Sequence, residues 1–194
     1  MDKIEQAFLN TPREVFLPSG MRIYASEDKP ISIGYGQTNS QPSTVRQMLE
    51  WLDVKDGDKV LDVGSGSGWT SALLSYLVGE EGTVDATEIV PELVSYGRKN
   101  CEQLGLQNVT FHQADTAIGW PDNAPYDKIL VSASADMLPA GLVKQLKTGV
   151  SGKMVIPVQD EILEVSVDEL GEIFILHHPG FLFVPLIDIS NPTL

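Results

Sequence analysis

Cysteine occurs once in these 194 residues, at Cys101, so the chain can form no internal disulfide and no thiolate metal cluster. On a helical pattern a lone cysteine reads as a small buried apolar group. Histidine is also scarce, with only His112, His177 and His178. The last two are neighbours, and on a strand they point to opposite faces, so they do not share a metal ion and no metal site is expected. Positive charge is short as well: 13 basic residues stand against 27 acidic ones, a net charge of −14. Binding a phosphate backbone needs clustered lysine and arginine, which excludes nucleic acid as an expected partner. No apolar run approaches the roughly 18 residues of a membrane span, and "MDKIEQAFLN" lacks the basic-then-apolar layout of a signal peptide. The expectation is a cytoplasmic chain with no membrane partner. There is no G-x-S-x-G elbow and no zinc-ligand spacing to suggest a hydrolase. Repeats and low-complexity tracts are absent too.

What remains is an alternation. A 42% hydrophobic content suffices for one full core, and the Pro/Gly-rich points ("LPSG", "WPDNAP", "HHPG") are single turns rather than linkers. Residues 1 to 30 read as a short helix followed by irregular chain. From Pro42 to Leu52 a helix places Val45, Met48, Leu49 and Leu52 on one face. "KVLDVG" (59–64) is an apolar strand, and "WTSALLSYLVG" a helix with Trp69, Leu73, Tyr76 and Leu77 on one side, ending at Gly79. "GTVDATEIV" (82–90) is a second strand; a helix follows with Pro91 in its first turn and Gly105 at its end. "NVTFHQAD" (108–115), "YDKILVSAS" (126–134) and "GKMVIPV" (152–158) are further strands, and "PAGLVKQLK" is a helix before the last of them. His112 alternates with Phe111 and is expected on the sheet surface. "EILEVSVD" and "GEIFILHH" alternate about a turn as a hairpin, and "FLFVPLI" reads as a closing strand. Strands alternating with helices predict an α/β fold, a doubly wound, mainly parallel sheet with antiparallel C-terminal strands. Ligands of such sheets bind beyond the carboxyl ends of the strands, where strand order reverses.

Chemistry concentrates at those ends. In "VLDVGSGSGW" a strand runs through Gly64, Ser65, Gly66, Ser67 and Gly68 directly into a helix, so bare backbone and helix N–H groups face a ligand. The glycines are spaced G-x-G-x-G, not the G-x-G-x-x-G of dinucleotide folds. Glu88 ends the next strand, where a carboxylate accepts both hydroxyls of an unmodified ribose and repels a phosphate, which suits an adenosine cofactor. Asp62, inside the first strand, needs hydrogen-bond donors. It either fixes the glycine turn by accepting its backbone N–H groups or meets a cationic amino group of the ligand. Asp115, ending the third strand, either forms a turn or reaches the purine rim. Residues 31–45, "ISIGYGQTNSQPSTV", are rich in hydroxyls, amides and glycines but hold no histidine, cysteine, lysine or carboxylate. On their own they read as a loop leading into a capped helix. Arg13 reads as a tie between the N-terminal segment and the body, with a substrate clamp as the alternative.

The glycine turn, the acidic end of the second strand and the aspartate of the third resemble the class I S-adenosylmethionine-dependent methyltransferases, a Rossmann-like fold. "PREVF", "IGYGQTNSQP", "VLDVGSGSGW", "NAPYDKILVSAS", "LVKQLK", "GKMVIPV" and "FVPLI", in this order, resemble the protein-L-isoaspartate O-methyltransferase family. The resemblance implies one methyltransferase domain over 1–194, with an N-terminal helix and active-site loop (1–52), a cofactor-binding core (53–160) and C-terminal strands (161–194). It implies a monomer that moves a methyl group from S-adenosyl-L-methionine to the α-carboxylate of isoaspartyl residues in damaged proteins and peptides. Ser40 then lies beside the transferable methyl as the catalytic residue; Thr38, Asn39 and Gln41 contact substrate. Gln37, Asp62, Gly64, Ser65, Gly66, Gly68, Glu88, Asp115 and Thr116 hold the cofactor. A carboxylate with a pKa near ~4 is already ionised at neutral pH, which accounts for a loop without a base. Three departures stand out: Asn39 replaces an apolar residue of the family's T-I-S-Q-P or T-I-S-A-P, while Ala114 and Thr116 replace the glycines around Asp115. They leave room for a peptide-tailoring carboxylate methyltransferase, or for a homologue that binds cofactor without turnover.

Overall fold

The computed structural model describes residues 2–114 and 117–187. Its N-terminal helix α1 (Lys3–Asn10) begins where the Asp2 carboxylate accepts the Glu5 N–H at 2.6 Å, satisfying one of the unpaired donors of a first turn. Two 3₁₀ turns, Arg13–Phe16 and Ser19–Tyr24, then carry the chain to a small antiparallel ribbon of β1 (Ile31–Gly34) and β2 (Gln37–Asn39). Sequence reading made this stretch a loop. Its turn holds Gly34, Tyr35 and Gly36 all at positive φ, and tyrosine hides that signal because it seldom adopts such a backbone.

Helix α2 (Pro42–Leu52) has proline at its first position and buries Val45, Met48, Leu49 and Leu52, the face its spacing predicts. The core then alternates: β3 (Lys59–Val63), α3 (Trp69–Val78), β4 (Thr83–Glu88), α4 (Pro91–Gln103), β5 (Val109–Gln113), β6 (Lys128–Val131), α5 (Ala140–Val143) and β7 (Lys153–Val158). β8 (Glu161–Val167) and β9 (Ile173–Pro179) close the sheet, whose order is β5-β4-β3-β6-β7-β8-β9. β3 through β7 pair in parallel and the last two strands antiparallel. Alternate residues of each strand serve opposite faces: Val60, Val84, Ala86 and Leu130 meet the helical layer, while Leu61, Val63, Ile129 and Val131 meet Ile118, Tyr126 and Leu142. Each such aliphatic side chain taken from water contributes about 1.5–3 kcal/mol, so the strands read as near-continuous apolar runs.

Two elements fall short of their sequence expectation. The helix expected over "PAGLVKQLK" stops at Val143, because Tyr126 competes for the chain that follows. The Tyr126 N–H donates to Gln145 O at 2.8 Å, and the Lys147 N–H donates to Tyr126 O at 2.8 Å. "FLFVPLI" forms no strand: one bridge joins Pro185 to Ser134, and proline has no N–H with which to continue a ladder. His112, expected on the sheet surface, is stacked against Trp120 at 4.0 Å, with its Nε2 2.7 Å from Asp85 Oδ1. Asp85 also accepts from Asn123 and Tyr126, so this buried cluster ties the segment before β6 down onto the sheet.

Candidate active site

Strand order reverses between β3 and β6, whose carboxyl ends carry Gly64 and Ser132. The β3–α3 turn is possible only with little side chain: Gly64, Gly66 and Gly68 have φ of +76°, +53° and +87°. A Cβ on Gly68 would stand 3.0 Å from the Gly97 backbone in α4, and a Cβ on Gly97 would stand 2.7 Å from the Phe111 ring. Two glycines facing each other thus let α4 press against the turn. The turn's N–H groups are apportioned with care: Gly64 and Ser65 donate to Thr87 O, Gly68 donates to Ser65 O, and Gly66 donates to Glu88 Oε2 at 2.9 Å.

That last bond corrects the reading of Asp62. Asp62 does not hold the turn through its backbone N–H groups; Glu88 does, and its other oxygen accepts the N–H groups of Ile89 and Val90 at 2.8 and 3.0 Å. Asp62 instead accepts the Thr70 and Ser71 hydroxyls at 2.8 and 2.6 Å through Oδ2. Its Oδ1 is buried with no partner among the described residues, as is the Ser65 hydroxyl. Burial is the main cause that pushes the Asp62 carboxyl up to about 6; the two hydroxyls pull it back, and nearby Glu88 pushes it further up.

Three hollows meet here. The main one encloses about 660 Å³ including its solvent-open mouth and is lined by Gln37, Thr38, Gly64, Gly66, Glu88 and Ile118, among others. That is the size class of a small-molecule site. A small one of about 260 Å³ runs along Asn39, Ser65, Ser67 and Thr70. An outer one of about 740 Å³ lies between Ser40, Gln41 and Thr44 on one side and Leu182–Val184 on the other. Thr38 and Ser132 line all three, and Ser40 lines the small and the outer one.

The sequence-predicted residues therefore converge, with qualifications. Glu88, Gly64 and Gly66 face the main hollow, as does Gln37; Ser65 faces the small one. Gly68 shapes the turn from behind, against Gly97. Asp115 and Thr116 lie outside the described residues, although their neighbours Ala114 and Ala117 line the main hollow. Asn39 is 4% exposed and its amide is occupied: Oδ1 accepts Arg13 Nε at 2.7 Å, and Nδ2 donates to Ser67 Oγ at 3.3 Å. The Gln41 side-chain nitrogen donates to Asp28 and Ser43, and its backbone carbonyl accepts the Val45 N–H, whereas its backbone N–H has no partner among the described residues. The guanidinium of Arg13 is wholly engaged within the protein, which removes the clamp alternative. Ser132 was missed by sequence reasoning. The available signal was its place: the first residue after β6, at the sheet's reversal.

A family model described as Protein-L-isoaspartate(D-aspartate) O-methyltransferase matches residues 1–191. The chain is 44% identical over 191 residues to a protein-L-isoaspartate O-methyltransferase of Pyrococcus horikoshii, spanning 96% of this chain and 85% of that one. Its counterpart from Methanopyrus kandleri is also 44% identical over 191 residues, spanning 96% and 84%. Among solved structures, a protein-L-isoaspartate O-methyltransferase superposes with a TM-score of 0.87 at 30% identity over 96% of this chain; the match spans 61% of that longer protein. A Plasmodium falciparum protein described as a β-aspartate methyltransferase in complex with S-adenosyl-L-homocysteine shares the fold, with a TM-score of 0.83 at 24% identity over 98% and 92% of the two chains.

Proposed function

The chain belongs to the protein-L-isoaspartate(D-aspartate) O-methyltransferase family, and from that premise we infer that its three joined hollows serve methyl transfer from S-adenosyl-L-methionine to the α-carboxylate of isoaspartyl residues, the reaction that opens repair of damaged proteins. When bound, the cofactor supplies a methyl carbon made electrophilic by the attached sulfonium. The residues present fit it. The main hollow has the glycine turn as its floor and the Glu88 carboxylate beside it, where a ribose diol finds an acceptor. Ser65, whose hydroxyl has no partner among the described residues, lines the small hollow, and Asp62, whose Oδ1 is likewise unpartnered, bonds Thr70 of the same lining; a cationic amino group supplies the missing donor.

The observation that carries the reading is that three hydroxyl-bearing residues, Thr38, Ser40 and Ser132, line both the small and the outer hollow. Among the described residues, no lysine, histidine, cysteine or carboxylate lines the outer or the small hollow. Such a site suits an acceptor that is already an anion: the substrate carboxylate needs no base, only alignment and exclusion of water. Hydroxyls orient a carboxylate without rivalling it as nucleophiles. Thr38 supplies one from the ribbon, Ser40 one from the position just after the ribbon, and Ser132 one from the position just after β6. Leu182, Phe183 and Val184 form the apolar wall along which a polypeptide lies and from which water is displaced. The proposal has the enzyme acting as a monomer on cytoplasmic polypeptides, in keeping with its net charge of −14. Asn39 lends no support to a peptide-tailoring enzyme, since the substituted amide is spent on Arg13 and Ser67 rather than on the outer hollow.

Incubation with methyl-labelled cofactor and matched peptides containing isoaspartate or aspartate tests the reading. Transfer confined to the isoaspartyl peptide is expected. Transfer to ordinary aspartate, or cofactor binding with no transfer, refutes it.

A further inference from the structure

Arg13 sits 6% exposed beneath the ribbon, with its guanidinium 5.2 Å from the Trp69 ring centre. Among the described residues no carboxylate touches it. Its donors go to six neutral acceptors: the carbonyls of Ala25, Glu27 and Lys29, the Asn39 side chain, and the carbonyls of Asn39 and Ser40 at 3.1 and 2.8 Å. Burial lowers the guanidinium to about 10, with Asp28 acting against that, so it is charged at neutral pH.

The last two carbonyls fix more than themselves. In a trans peptide the C=O and the following N–H point in opposite directions, and among the described residues only Ala124–Pro125 is cis. Drawing the carbonyls of Asn39 and Ser40 onto Arg13 therefore turns the N–H groups of Ser40 and Gln41 away from it. Neither N–H donates a hydrogen bond among the described residues. Ser40 and Gln41 line the outer hollow, which Arg13 does not reach. Two consecutive open N–H groups, backed by a buried cation through two peptide dipoles, make an anion seat. The Asn39 amide locks the arrangement, since it holds Arg13 Nε on one side and the Ser67 hydroxyl of the glycine turn on the other.

We propose that the N–H groups of Ser40 and Gln41 seat the α-carboxylate of the isoaspartyl substrate, and that Arg13 is the positioning residue that aims them. This rests on the isoaspartyl reading above and deepens it: the loop recognises charge through its backbone, and the Ser40 hydroxyl completes the seat.

Gln41 permits a selective test because its φ of −60° is the value proline imposes. Gln41→Pro deletes the N–H and the side-chain amide together, whereas Gln41→Ala deletes only the amide. Binding of an isoaspartyl peptide and of its uncharged isoasparaginyl analogue is measured by calorimetry with S-adenosylhomocysteine present, and kcat and KM are measured alongside. Gln41→Pro is expected to lower the preference for carboxylate over amide about tenfold to a hundredfold relative to Gln41→Ala, the scale of one hydrogen bond to a charged group. Arg13→Lys, which keeps the charge but cannot reach six acceptors, is expected to reduce the same preference, with affinity for S-adenosylhomocysteine within about threefold of wild type. A purely structural Arg13 would move both affinities together. Should Arg13→Lys not fold, the Gln41 pair decides. Equal preference in Gln41→Pro and Gln41→Ala, or an undiminished preference in folded Arg13→Lys, overturns the seat while wild-type transfer to isoaspartate leaves the function standing. A wild type without that transfer overturns both.

Discussion

Replacing Asp62 by asparagine should make the protein more stable at pH 8 and worse at holding its cofactor. The carboxylate is fully buried in β3, one oxygen bonded to two hydroxyls and the other to nothing among the described residues. Desolvation is the leading cause that raises its pKa from 3.8 to about 6. Between these two values the folded protein binds more protons than the unfolded chain, so stability falls as pH rises through that window and is lowest above it. The displacement corresponds to about 3 kcal/mol lost by pH 8, largely intact for a group shielded from solvent. Asparagine is neutral throughout and keeps an oxygen for Thr70 and Ser71. Its NH₂ then replaces the unpartnered Oδ1 and lacks an acceptor, which costs about 1–3 kcal/mol. The net expectation is about 1 kcal/mol of stabilisation at pH 8, roughly 2–4 °C in Tm for a chain of this length, and about 1–3 kcal/mol of destabilisation at pH 4. Denaturant melts of both proteins from pH 4 to 8 measure this, and calorimetric titration with S-adenosylhomocysteine measures the accompanying loss of affinity for its amino group. A variant that keeps the wild-type slope of stability between pH 4 and 6 would show that Asp62 does not carry the penalty, and the reasoning would fail.

Three further substitutions separate the parts of the site. Ser40→Ala should lower kcat about tenfold to a hundredfold with cofactor affinity within a few-fold, because the hydroxyl acts on substrate alignment; steady-state kinetics with isoaspartyl peptide check it. Glu88→Ala should cost about 3 kcal/mol of stability as well as cofactor affinity, since three backbone N–H groups lose their acceptor, whereas Glu88→Gln should retain part of both; chemical melts and calorimetry distinguish the two variants. Gly97→Ala should destabilise by about 1–3 kcal/mol and weaken cofactor binding, because the new methyl meets the Phe111 ring and stands 3.3 Å from the backbone of Gly66 and Gly68. A Gly97→Ala protein with wild-type Tm and affinity would show that α4 can retreat without disturbing the turn.

What could be read from the sequence was local in origin. The face of α2, the alternation from β3 to β7 and the glycine turn are each set by residues a few positions apart, and each appears where periodicity puts it. The failures come where distant chain competes for the same backbone. Tyr126 takes the residues expected to extend α5, and Pro185 breaks a run that by hydrophobicity alone resembles a strand. Side-chain roles are harder still, because they depend on which donor reaches which acceptor across the sheet. Asp62 lies two residues before the turn and Glu88 twenty residues after it, yet Glu88 takes the Gly66 N–H, because β4 runs parallel beside β3 and ends level with the turn. Asn39 makes the same point about substitutions. An amide where the family resemblance leads one to expect an apolar residue looks like altered substrate contact when read along the chain, but Arg13 and Ser67 consume it on the buried side of the ribbon. The substitution thus changes how firmly the loop is held rather than which groups it displays. Its effect should therefore appear in the geometry of the neighbouring Ser40 and Gln41 N–H groups, one peptide removed from the residue that changed.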